Sequence, residues 1–133
     1  MAAFIGSRTE ANLRQAFATA TLAQLRYVAI AQREAAEGRH HVAALFREIA
    51  RSRASHAEAH LAILEPRNAD TSTAYNVRLA IMDELAACAD AYPAMTRTAR
   101  HEGFCDIADW FEVRAKAGRS HAGRFRRTLE TLL

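Results

Sequence analysis

Apolar residues recur at three- and four-residue spacing along four stretches of the chain, the period of a helix with one buried face. The first stretch begins near Thr9 and carries Leu13, Phe17, Ala20, Gln24, Tyr27, Val28 and Ala31 on one stripe before Gly38 stops it. The second opens near Arg39, turns Val42, Leu45, Phe46, Ile49, Arg53, His56, His60 and Ile63 inward, and ends before Pro66. Three of its inward positions, Arg53, His56 and His60, are therefore basic rather than apolar. Glu65–Ser72 (EPRNADTS) gathers Pro, Asn, Asp and Ser and reads as a connector. Thr71, Ser72 or Thr73 caps the third stretch, whose stripe is Val77, Ile81, Glu84, Ala87 or Cys88, Ala91 and Met95. Pro93 should kink it, and Gly103 ends it. The fourth places Ile107, Trp110, Phe111, Arg114, Gly118, His121, Phe125 and Leu129 on one face. No alternating pattern suggests a strand.

The two halves echo each other: HVAALFREIARSRASHAE and DIADWFEVRAKAGRSHAG share a frame of small-apolar pair, Phe and Ser-His. An all-α chain results, a four-helix bundle made of two helical hairpins, with inward polar side chains at matching heights where bundles build their sites. One domain spans 1–133, with hairpin 1 over about 8–65, the connector at 65–72 and hairpin 2 over about 73–132. The connector can fold back, or cross to a second copy and exchange hairpins.

Composition agrees with helix. The chain has 133 residues, only 5 Gly and 2 Pro, and is dominated by Ala, Leu, Arg and Glu. No stretch approaches the roughly 18 apolar residues of a membrane span. The N-terminus lacks the basic and apolar regions of an export signal, so a cytoplasmic location without membrane partners is expected. A net charge of +3, with Arg interspersed among Glu, gives no basic stripe for nucleic acid. Cys88 and Cys105 have no CxxC spacing and read as reduced core thiols.

SRTEANLRQAFATATLAQLRYVAIAQREAAEG, AALFREIARSRASHAEAHL, AYPAMTRTARHEGF and IADWFEVRAKAGRSHAGRF resemble the successive helices of rubrerythrin, in order and spacing and including the mid-helix Tyr92-Pro93. The resemblance covers nearly the whole chain and implies a ferritin-like four-helix bundle. It is to a short form without the CxxC-bearing rubredoxin domain. It also implies two irons for peroxide reduction, held by a Glu-rich helix and an ExxH helix from each half. Carried over position by position, the ligands fall on Ala20, Arg53, His56, Glu84, Ala87, Gly118 and His121. Only His56, Glu84 and His121 are of ligating type, and Glu48, Glu58, Asp83 and Asp90 lie off the inward stripes.

Arg53 puts a permanent cation where the resemblance implies a bridging anion, and its expected partner is Glu84 in a buried charge pair. His56, Glu84 and His121 alternatively form a two-His, one-carboxylate set for one Fe or Zn per chain. His60, one turn past His56, packs near the bundle end, while His40, His41 and His101 read as solvated or capping groups. Small residues at Ala20, Ala87 and Gly118 leave space, and Tyr27, Cys88, Tyr92 and Arg114 are expected around a pocket in which Arg53 and Arg114 face an anion. The resemblance implies a homodimer, and these residues predict one that has lost the diiron peroxidase site, needs no cofactor, and acts as a binding or structural module toward a small molecule, an anion or a protein. The alternative is an oxidoreductase with a single metal at His56, Glu84 and His121.

Overall fold

The computed structural model describes residues 3–66 and 72–133. Among them every regular element is helical: α1 (Arg8–Ala36), α2 (His40–Leu64), α3 (Thr73–Leu85), a π-helical turn (Ala86–Ala91), α4 (Tyr92–His101) and α5 (Cys105–Leu132). The all-α class is as expected. The chain divides into two compact units, 1–68 and 69–133. Hairpin 1 packs α1 on α2, and hairpin 2 packs α5 on α3, the π turn and α4. Most of the expected connector, including the cap candidate Thr71, lies outside the described residues.

The helix ends follow from local chemistry. Ser7 and Ser72 each accept a hydrogen bond from a backbone N–H three residues on, Glu10 at 3.0 Å and Tyr75 at 3.1 Å. Gly38 and Gly103 adopt φ +83° and +87°, conformations that suit a residue without Cβ. The N–H groups of Arg39 and Phe104 then reach back to the carbonyls of Glu34 and Ala99, closing both interhelical turns with the same motif. Beside the first turn Arg39 pairs with Glu34 and Glu37, and its hydrogen bond holds the Glu34 carboxyl below its ordinary range. In the second hairpin Arg100 bridges Asp109 (2.9 Å) and Glu112 (2.7 Å), which push its guanidinium further toward the charged form.

Pro93 is absorbed differently from the expected kink. A proline ring crowds the carbonyl four residues back. The helix widens into the π turn just before it, and Tyr92 N–H bonds the carbonyl of Ala87, five residues back.

The expected inward stripes need a second correction. The buried residues are small: Ala20, Ala23, Ala31, Ala43 and Ala50 in hairpin 1, and Ala99, Ala108, Ala115, Gly118 and Ala122 with Ile81, Cys88 and Thr96 in hairpin 2. Leu45, Ile49, Met95, Ile107 and Trp110, read as inward, are exposed on the chain. Alanine and glycine let two helices approach closely, so the closest helix–helix contact falls on them rather than on the bulky stripe. Cys105, expected in the core, is exposed, whereas Cys88 is buried; both are free thiols.

Candidate functional site

The two hairpins are copies of one design. Tyr27 and Tyr92, Gly38 and Gly103, Ala43 and Ala108, Phe46 and Phe111, Ala50 and Ala115, and His56 and His121 are all 65 positions apart. The copies repeat contacts as well as residues: Tyr27 meets the Phe46 ring edge-on at 5.5 Å, and Tyr92 meets the Phe111 ring at 6.0 Å. The sequence shows the Ser-His frame and both glycine stops, and the Glu-Gly pairs at 37–38 and 102–103 extend the repeat to the turns.

Each copy opens a cleft beside its Ser-His histidine. In hairpin 2 a cleft of about 400 Å³ is lined by Glu84, His121, Arg124, Phe125 and Thr128. His121 Nδ1 lies 3.3 Å from Glu84 Oε2, with both side chains part-exposed. A carboxylate only accepts, so Nδ1–H is the donor, and in the neutral ring Nε2 then has a lone pair for another partner. That is how metal-binding imidazoles are commonly oriented. Gly118 makes the arrangement possible: a Cβ there would lie 2.9 Å from Cys88 Cβ and 3.4 Å from Glu84 Oε2. The absent side chain leaves room for both Cys88 and the Glu84 carboxylate. Ala87 stands half-buried in the adjacent π turn.

In hairpin 1 a cleft of about 350 Å³ is lined by Asn12, Gln15, Ala16, Thr19, Ala20, Arg53, His56 and His60. Ala20 lies on the turn of α1 that corresponds to Glu84, and Arg53 corresponds to Gly118. The second cleft therefore has two imidazoles and a guanidinium but no carboxylate in its lining.

The sequence-predicted residues are thus divided between the units: Arg53 and His56 with Ala20 in hairpin 1, Glu84 and His121 with Ala87 and Gly118 in hairpin 2. The expected Arg53–Glu84 pair would join the two units, and each residue belongs to its own hairpin. Arg53 is half-buried, and the Glu84 side chain keeps 31% exposure with His121 as its hydrogen-bonding neighbour. Of the expected pocket residues, Tyr27 packs in hairpin 1. Cys88 is buried against Gly118, Tyr92 stacks near Phe111, and Arg114 is drawn away to lie 3.6 Å over the Trp110 ring. Within each hairpin, among the described residues, no three His, Cys, Asp or Glu side chains converge.

The family model described as Rubrerythrin matches residues 11–129. A rubrerythrin of Porphyromonas gingivalis is 35% identical over 130 residues, covering 90% of this chain and 65% of the relative. A rubrerythrin of Clostridium perfringens is 28% identical over 134 residues, covering 90% of this chain and 69% of the relative. The chain thus spans about two thirds of the length of these curated relatives. These matches overturn the expectation of a binding or structural module whose peroxidase site is lost. That expectation weighed seven fixed positions, whereas the likeness runs through residues 11–129.

Proposed function

Because the chain belongs to the rubrerythrin family, we propose that it is an iron-dependent oxidoreductase acting on a peroxide, with Glu84 and His121 as its metal-holding pair. The observation that carries this reading is their approach to 3.3 Å at the floor of an open cleft. A carboxylate and an imidazole form a donor set suited to Fe(II). Glu84 offsets charge and orients the ring, His121 offers Nε2, Gly118 keeps the space beside them open, and Phe125 supplies an apolar wall. Iron held there would pass electrons, two for each peroxide reduced, from an external reductant to the peroxide. His56 joins the proposal on the sequence resemblance alone.

The test is anaerobic loading with Fe(II), desalting, and measurement of retained iron and of hydrogen peroxide consumption. Wild-type protein should retain iron in fixed proportion to chain. Glu84→Gln and His121→Gln should each retain about tenfold less or lower still, at least the loss that weakened supporting shells alone produce. Equal retention by all three proteins would defeat the assignment.

We place the protein in the cytoplasm as a homodimer. No described helix is long and apolar enough to cross a membrane. Each hairpin leaves large apolar side chains exposed, Leu22 and Leu25 in the first and Met82 and Trp110 in the second, surface that a second copy would cover. Light scattering should give twice the chain mass, and a monomer at micromolar concentration would contradict this.

A further inference from the structure

We propose that the hairpin 1 cleft is an oxyanion-binding site centred on Arg53, taking a phosphate or carboxylate group of a small molecule. Every polar side chain in its lining can donate a hydrogen bond: the guanidinium of Arg53, the amides of Asn12 and Gln15, the hydroxyl of Thr19 and the imidazoles of His56 and His60. None is a carboxylate. The ion pairs described in this hairpin are Arg14–Glu10, Arg33–Glu37, Arg39–Glu34 and Arg39–Glu37, so Arg53 takes part in none of them. Its half-buried position limits the water that can solvate its charge. A guanidinium presents a planar fork that matches an oxyanion with two hydrogen bonds. Ala20 contributes to this environment by absence, because the turn that carries a carboxylate in hairpin 2 carries only a methyl group here. The site goes beyond the iron reading and needs no metal. The test turns on Arg53, which the iron reading does not use.

The full chain, isotope-labelled and in chloride buffer at constant ionic strength, is titrated with inorganic phosphate and separately with succinate while its NMR spectrum is followed. Saturable shifts are expected at Arg53 and at neighbouring residues of α1 and α2, with the tighter of the two anions revealing the chemistry of the natural ligand. Arg53→Met should weaken binding at least tenfold, and Arg53→Lys, which keeps the charge but loses the fork, should weaken it by less. Arg119→Met, on the other hairpin, should leave it unchanged. If Arg53→Met fails to give the wild-type helical spectrum, the comparison of Arg53→Lys with wild type decides. No saturable response to either anion, shifts spread over the surface arginines, or binding indifferent to the Arg53 substitutions would overturn the assignment. Failure here would leave iron retention at Glu84 and His121 untouched, and failure of iron retention would leave this site standing.

Discussion

Hairpin 1 and hairpin 2 share a frame down to the residue spacing, yet their clefts carry opposite chemistry. Beside His121 stand a carboxylate and a glycine; beside His56 stand an alanine and an arginine. The common scaffold of capped helices, glycine turns and alanine contacts fixes where an imidazole emerges. What it can do there depends on those two neighbours, and hairpin 2 adds the π turn that the continuous α1 lacks. Fold and site chemistry are separable in this molecule, which is why family membership alone does not assign a residue its task.

The largest effect should come from removing the difference at Gly118. Gly118→Leu forces a side chain into the 2.9 Å approach to Cys88 and should destabilise the protein by about 1–3 kcal/mol or more, the usual cost of overpacking. Arg53→Leu at the matching position of hairpin 1 meets an open cleft and should change stability by about 0.5 kcal/mol or less. Denaturant melts read both, and equal losses would break the contrast drawn between the two sites.

A smaller effect tests the likeness rather than the contrast. Ser7→Ala and Ser72→Ala remove equivalent caps, and each should cost about 1 kcal/mol. A cap that proves silent in one hairpin and costly in the other would mean that the two helix starts are not energetically equivalent.

The smallest effect concerns Arg53 and Glu84. Neither is buried within its own hairpin, so the Arg53→Met, Glu84→Gln cycle should show a coupling below about 1 kcal/mol, as for exposed pairs. A coupling of about 3 kcal/mol or more would restore the charge pair expected from the sequence and would leave Arg53 unavailable to an external anion.

Much of the fold was legible because its boundaries are set by single residues acting locally. Gly38 and Gly103 stop helices through their φ, Ser72 caps one through its hydroxyl, and Pro66 closes the second pattern. The interior was less legible. Periodicity ranks large apolar residues as inward, but close helix approach selects Ala43, Ala50, Ala108 and Ala115, whose small size carries little weight in such a reading. Pro93 announced a disturbance without saying that a π turn would take it up. At the site, His56, Glu84 and His121 were found from the sequence, and the structure brings the last two together. The full lining of the hairpin 1 cleft was not found, because Asn12, Gln15 and Thr19 lie on α1 and meet Arg53 only when α1 and α2 fold against each other.

The most direct test of the account is to locate a paramagnetic divalent ion by NMR. Labelled full-length protein is titrated with Mn(II), which takes oxygen and nitrogen ligands and broadens nearby signals. Signals around Glu84 and His121 should disappear first, and Glu84→Gln should abolish the effect. Broadening centred on His40 and His41, or unchanged by Glu84→Gln, would contradict the assignment of the metal to hairpin 2.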